Sequence, residues 1–246
     1  MKPLLMIPTY NEQETIKSLI ERINRSLTID ILVIDDNSPD KTADFVSSLG
    51  YKNVDILSRS KKDGLGNAYK AAIEYGLRNQ QFTHFISMDA DGSHRPEDLI
   101  EMLKIAESNP NFGLILGSRW VSGGKIVNWP KYRKWLSKAG TRYAKWALKL
   151  KISDLTGGFR IYPRETLEAL DFKQITSNGY CYQIEMAFAI SHLNLKVIEV
   201  PITFIEREVG ISKMSQRIVL EAMAQVTRWG LAMRLNPSAD KLHYVK

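Results

Sequence analysis

Through its first half the chain alternates short apolar runs with amphipathic segments, and no other feature restricts its fold as much. The runs Pro3–Ile7, Ile29–Ile34, Val54–Leu57, Phe82–Met88 and Phe112–Leu116 are too short for buried helices. Their largely apolar character suits buried strands. Between them the spacing predicts helices over Glu12–Arg25, up to about Leu49, over Gly66–Leu77 and over Pro96–Ser108. Parallel strands joined by helical crossovers follow from this order. The expected fold is therefore α/β: a mostly parallel, doubly wound, Rossmann-like sheet flanked by helices. In such sheets ligands bind at the carboxyl ends of the strands.

The polar clusters obey that rule. Pro8-Thr9-Tyr10-Asn11-Glu12, Asp35-Asp36, Ser58-Arg59 and Asp89-Ala90-Asp91 each directly follow a strand. Glu12 and Asp40 are equally well explained as helix caps. The aspartate pair is not, because two like charges so close require compensation.

Three chemistries use such a pair. An EF-hand loop needs Gly at its sixth position and Glu at its twelfth. Counting from Asp89, this chain has His94 and Ile100 there, so that reading fails. A phosphatase of the haloacid dehalogenase type would use the first aspartate as nucleophile. It normally carries the motif near the start of its chain, and Ser93 is a weak match to its pattern. The third option is Mg²⁺ or Mn²⁺ held between the carboxylates and a nucleoside diphosphate. One pair of unit charges at ~4 Å interacts by roughly 4 kcal/mol at an effective dielectric of about 20, so a divalent ion easily outweighs the carboxylate repulsion. Gly64-Leu65-Gly66 resembles part of a dinucleotide fingerprint, but it follows the polar run SRSKKD rather than a strand.

The net charge of +7 is unevenly distributed. Residues 125–151 hold nine Lys or Arg and no Asp or Glu, together with Trp129, Trp135 and Trp146. The remainder carries a slight acidic excess. From Tyr132 the apolar positions 132, 135, 136, 139, 143, 146, 147 and 150 form a helical stripe, with the cations on the other face. A core-packed helix with a solvated face would read this way, but a helix lying on a membrane surface fits better. Nucleic-acid binding fits less well, since the aromatics are not interleaved with the cations. A second amphipathic helix is expected over Lys213–Leu235, with Met214, Ile218, Met223, Val226, Trp229 and Met233 available for burial. No apolar run is long enough to span a bilayer. The opening MKPLLMIPTYNE turns polar too soon for a signal peptide. The single cysteine, Cys181, suits a reducing compartment.

Eight motifs now stand in order: IPTYNE (7–12), DDNSPD (35–40), GLGNAY (64–69), MDADGSHRPED (88–98), GSRW (117–120), NWPKYRKWLS (128–137), DLTGGFR (154–160) and FIEREVGISKM (204–214). Together they resemble the polyprenol monophosphomannose synthases, or dolichyl-phosphate mannosyltransferases, which are inverting family 2 glycosyltransferases of GT-A fold. The resemblance reaches to about Leu235. It implies a catalytic domain over 1–211, including the basic segment 125–151, and a C-terminal amphipathic helix and tail over 212–246.

The resemblance also implies site roles. Pro8, Tyr10, Glu12, Ile34, Asp36 and Ala90 would hold the nucleotide sugar with Asp89 and Asp91. Those two aspartates would bind Mg²⁺ or Mn²⁺, with Ser93 as a further candidate ligand where some members carry Gln. Arg119, Arg133 and Ser137 match positions used for the acceptor phosphate, and Arg207 and Lys213 match residues that close over the donor diphosphate. Gln183 and Glu185 match a family motif, either as a buried pair orienting the site or in catalysis.

The implied reaction transfers mannose from GDP-mannose to a polyprenyl phosphate with inversion. A glucosyltransferase using UDP-glucose is the alternative within the class; a D-x-D phosphatase and a non-catalytic membrane-binding module are alternatives outside it. The implied partners are the lipid, the cytoplasmic face of a membrane and an integral membrane protein, with no nucleic acid.

Overall fold

The computed structural model describes residues 1–179, 181–206, 216–235 and 244–246, with the side chains of 216–219 left aside. The first half runs β1 (Pro3–Thr9), α1 (Gln13–Ser26), β2 (Asp30–Asp35), α2 (Thr42–Ser48), β3 (Val54–Ser58), α3 (Leu65–Leu77), β4 (His84–Ser87) and α4 (Pro96–Ser108). Next come β5 (Phe112–Ser118), β6 (Lys125–Val127), α5 (Lys131–Leu148), β7 (Arg160–Pro163) and α6 (Arg164–Ala169). The chain continues through α7 (Cys181–Ser191), β8 (Lys196–Pro201), β9 (Thr203–Ile205) and α8 (Gln216–Leu235).

Seven strands form the main sheet in the order β3-β2-β1-β4-β7-β5-β8. The pairs β1–β2, β1–β4, β2–β3 and β5–β8 are parallel. Along β1, Leu4 and Met6 enter one apolar core while Leu5 and Ile7 enter the other. Strand side chains alternate faces, so an unbroken apolar run signals helices on both sides. The expected mostly parallel α/β sheet is therefore what forms.

Strand β7 departs from that pattern. It lies antiparallel between β4 and β5, with Ser87 opposite Arg160. Its amino end consequently meets the carboxyl end of β4. The loop that precedes β7 is thereby delivered to the edge where the D-x-D motif emerges. Four residues, Arg-Ile-Tyr-Pro, carry too little periodicity to announce this placement.

Helices α5 and α8 pack against each other. A Cβ on Gly230 would lie 2.8 Å from the Ala147 carbonyl oxygen, so the crossing is close. Tyr143 and Thr227 share a hydroxyl hydrogen bond of 2.6 Å. Arg234 donates to the Ala147 carbonyl at 3.0 Å, which satisfies an acceptor at the end of α5. The apolar stripe expected on α5 is divided by this packing. Ala147 is buried, whereas Tyr132, Trp135 and Trp146 are 72%, 71% and 69% exposed. A single neighbouring helix covers only part of so wide a stripe. In α8, Val226 and Trp229 are buried, Met223 is exposed and Met233 is partly buried. Met214 lies outside the described residues, as do Arg207 and Lys213, and nothing is drawn from the side chain of Ile218.

Candidate active site

Two cavities open at the carboxyl edge of the sheet, and the D-x-D loop is shared by both. One, of about 260 Å³, is lined by Pro8, Tyr10, Glu12, Asp36, Ala90 and the two aspartates. The other, of about 160 Å³, is lined by Asp89, Asp91, Ser93, Arg119, Arg133 and Ser137 among its polar residues. Its lining also includes Leu136, Tyr143, Ala144, Ile184, Met223 and Val226. Residues far apart in the chain are thus sorted into two groups that meet at Asp89 and Asp91.

The loop geometry explains how the pair is displayed. Gly92 takes φ +75°, a left-handed turn that glycine adopts without steric cost. The turn brings the Ser93 N–H back to Asp91 Oδ1 at 3.1 Å. The Asp89 N–H donates to His94 Nδ1 at 3.1 Å. An accepting Nδ1 leaves the ring proton on Nε2. The His94 ring is itself clamped, stacked on Phe159 at 4.8 Å and edge-on to Phe204 at 5.5 Å. A buried histidine therefore orients the first aspartate.

In the larger cavity Asp36 is held by Arg59 at 2.6 Å, and Arg59 also pairs with Asp63. Burial lifts the Asp36 carboxyl above its usual range, although Arg59 pulls it the other way. Lys62 lies 3.7 Å from the Tyr10 ring centroid and lines the same cavity. Asn178 and Gly179 complete the wall. The Gly64 and Gly66 pair has its explanation here: a Cβ on either would lie 2.5 Å from the carbonyl oxygen of Asn178 or Ser177. Ile34 is not brought to the cavity. Its side chain is fully buried in the core, and its carbonyl accepts from Thr9 Oγ1 at 3.2 Å.

In the smaller cavity Arg119 makes a forked pair with Asp154, Nε to Oδ2 at 2.7 Å and Nη2 to Oδ1 at 2.6 Å. Nη2 also donates to Thr156 Oγ1 at 2.8 Å. Burial by itself would raise the Asp154 carboxyl, but the charge and hydrogen bonds of Arg119 outweigh it and hold the group below the usual range. Asp154 is positioned in turn by Glu199, which accepts the Ser153 and Asp154 N–H groups at 2.8 and 3.1 Å. Arg133 pairs with Glu206 and lies 4.3 Å from the Trp129 ring centroid. Both arginines are thus oriented by carboxylates before any ligand arrives.

Gln183 and Glu185 lie behind the cavities on α7, which is apolar on every side and buried along its length. Both side chains are at most 2% exposed. The residues that sequence reasoning missed are Lys62, His94, Asp154, Glu206, Asn178 and Gly179. His94, Asp154 and Glu206 stood inside quoted motifs without a role, and Lys62 sat in a run dismissed as merely polar.

The donor set at the shared loop is two carboxylates and a serine hydroxyl. No group of three or more His, Cys, Asp or Glu side chains suited to a metal occurs among the described residues. Hard oxygen donors in small number fit Mg²⁺ or Mn²⁺, which take their remaining oxygens from phosphates and water. They do not fit a structural zinc site, which needs four nitrogen or sulfur ligands.

The sequence profile of glycosyl transferase family 2 matches residues 5–171. The chain belongs to that family. An undecaprenyl-phosphate mannosyltransferase of Micrococcus luteus is 45% identical, over 95% of this chain and 96% of that protein. A polyprenol monophosphomannose synthase of Mycolicibacterium smegmatis is 41% identical, over 96% of this chain and 89% of its own length. Among solved structures, glucosyl-3-phosphoglycerate synthase from Mycobacterium tuberculosis, in complex with Mn²⁺, UDP and phosphoglyceric acid, superposes with a TM-score of 0.66. That match covers 96% of this chain and 78% of the other at 18% identity, and it speaks to the GT-A fold alone. As a family 2 member the chain is a glycosyltransferase, and the phosphatase and binding-module alternatives fall away.

Proposed function

We propose that this glycosyltransferase moves mannose from GDP-mannose to the phosphate of a polyprenyl lipid with inversion, yielding polyprenyl-phosphate β-mannose and GDP. The observation that carries the reading is the D-x-D loop shared by two unlike cavities. One is lined by Tyr10, Glu12, Asp36 and Lys62, side chains that can bond the polar groups of a nucleotide. The other is lined by two arginines together with a set of apolar side chains, matching a lipid with a charged head. The mannosyltransferase names of the relatives support the same sugar and acceptor class, and the motif resemblance favours GDP-mannose as donor.

The acceptor needs little activation. A phosphate monoester has its second pKa near 6, so it is already ionised at neutral pH. Its oxygen attacks the anomeric carbon as the bond to the GDP oxygen breaks, and both charges remain on phosphates. Arg119 and Arg133 orient the attacking phosphate through forked donors. Lys62 offers a cation on the donor side for the departing diphosphate. A divalent ion on Asp89 and Asp91, with Ser93 as candidate third ligand, would supply further charge stabilisation there. Arg207 and Lys213 are proposed for the same diphosphate on the motif match.

A donor panel tests the reading. The protein is incubated with Mg²⁺ or Mn²⁺, a short polyprenyl phosphate and each labelled nucleotide sugar, and the lipid is extracted. Label from GDP-mannose is expected. Label from UDP-glucose alone would move the assignment to a polyprenyl-phosphate glucosyltransferase.

We further propose peripheral attachment to a membrane at its cytoplasmic face, through α5 and α8, with an integral membrane protein as a candidate partner. No described helix is long and apolar enough to cross a membrane. Tyr132, Trp135 and Trp146 project from the basic helix, and Leu231 and Leu235 are 54% and 84% exposed on its neighbour. Each Lys or Arg near an anionic leaflet contributes about 1 kcal/mol, so reversing Lys138, Arg142 and Lys145 to Glu is expected to weaken binding to anionic vesicles by at least on the order of 10²-fold. Flotation with vesicles measures this. Equal flotation of variant and wild type would refute the electrostatic part.

A further inference from the structure

Glu185 is fully buried on α7, yet its hydrogen bonds lead to the wall of the larger cavity. Its Oε2 accepts the Ser177 N–H at 2.8 Å and its Oε1 the Thr176 N–H at 3.3 Å. The next two residues, Asn178 and Gly179, line that cavity. The Asn178 carbonyl then accepts the Gly66 N–H at 2.9 Å, at the start of α3. Lys70 on the same helix donates to the Ile175 carbonyl at 3.0 Å. The segment 175–178 is thus fastened at both ends, and the carboxylate of Glu185 dictates its course between them.

The carboxylate has a third partner from the other end of the chain. Tyr244 donates its hydroxyl to Glu185 Oε1 at 3.2 Å within the core. Its ring lies 5.9 Å from Phe188 and 6.1 Å from His192. The last residues are held by backbone bonds as well: Asp171 N–H to Tyr244 O and Lys246 N–H to Ala169 O, each 2.9 Å. Val245 also forms a bridge with Leu170. Residues 244–246 are therefore linked through one carboxylate to the wall of the larger cavity.

We infer that Glu185 is a positioning residue for the nucleotide donor, and that Tyr244 is the strap that sets its carboxylate. This rests on reading the larger cavity as the nucleotide site. A hydrogen bond to a buried charge is among the stronger ones, and removing it loosens what the charge holds. The consequence is confined to one substrate: donor affinity should fall while acceptor affinity, which depends on the other cavity, should not.

The test uses the full-length protein with Mg²⁺ or Mn²⁺ and compares GDP and UDP binding by calorimetry. Steady-state kinetics follow with the donor identified by the panel. Tyr244→Phe keeps the ring packing and removes only the hydroxyl; it is expected to weaken binding of the cognate nucleoside diphosphate about fivefold. Glu185→Gln keeps one acceptor and should weaken it more, and Glu185→Leu more again. Raising the donor concentration should restore kcat to within about twofold, with the acceptor KM unchanged. A lowered melting temperature with unchanged nucleotide affinity in Tyr244→Phe and Glu185→Gln would overturn the inference and leave Glu185 a core group only. Wild-type protein that binds neither GDP nor UDP would overturn the nucleotide-site reading itself, and this inference with it.

Discussion

Asp91→Ala is expected to lower glycosyl transfer by at least about 10³-fold, near 4 kcal/mol in transition-state terms. The carboxylate borders both cavities, so in the proposed reaction the reacting groups of donor and acceptor would meet beside it. One of its oxygens is engaged by the Ser93 N–H, which holds the side chain in place without removing its charge. Asp91→Asn keeps the size and an acceptor while deleting that charge, and it should be nearly as inactive. An unchanged melting temperature in Asp91→Asn would separate loss of chemistry from loss of fold. The same logic predicts that EDTA abolishes transfer and that added Mg²⁺ or Mn²⁺ restores it. Full activity in EDTA, or in Asp91→Asn, would refute the metal role.

The second large effect is expected at Asp154. Its carboxylate is 0% exposed and accepts from the Arg119 guanidinium, the Arg119 N–H and the Gly157 N–H. Asp154→Ala would leave a 7% exposed guanidinium facing Trp129 and Phe204 without its partner. Breaking a buried pair on one side costs about 3–5 kcal/mol, so urea unfolding should register a loss of that size. Transfer should also fall, because Arg119 loses the fork that aims it. A pH dependence accompanies this. The Asp154 carboxyl is depressed in the folded protein, so between the folded and unfolded pKa values the unfolded state binds more protons. Its stabilisation is therefore complete above the unfolded value of about 3.9 and declines as pH falls below it. Wild-type stability should drop in that acid range more steeply than that of Asp154→Ala. Matching profiles would show that the pair is not what acid breaks.

Much of this molecule is legible before any coordinates. Pro3–Thr9, Asp30–Asp35, Val54–Ser58 and Phe112–Ser118 form strands within a residue or two of the apolar runs; in all but the edge strand Val54–Ser58, burial on both faces leaves its mark in nearly every residue. Pro8, Tyr10, Glu12 and Asp36 reach one cavity, and Arg119, Arg133 and Ser137 the other. Ile34 did not follow: at the end of a buried strand, alternate side chains face opposite ways, and its own turned into the core. The aromatic positions of the basic helix were also ambiguous, since a stripe at helical spacing is the same whether a core or a membrane covers it. The way α8 packs along α5 leaves Trp135 and Trp146 outside.

What the sequence by itself determined was everything written in short-range order: strand and helix alternation, the turn that displays Asp89 and Asp91, and the family that uses them. What only the tertiary structure decided were the partnerships across long separations. Asp154 meets Arg119 because β7 runs antiparallel between β4 and β5 and turns its leading loop toward the site. Glu185 governs a cavity wall from inside a helix, in contact with a tyrosine near the far end of the chain. Each of these contacts depends on where the sheet places two distant segments, and hydrophobic periodicity carries no record of that.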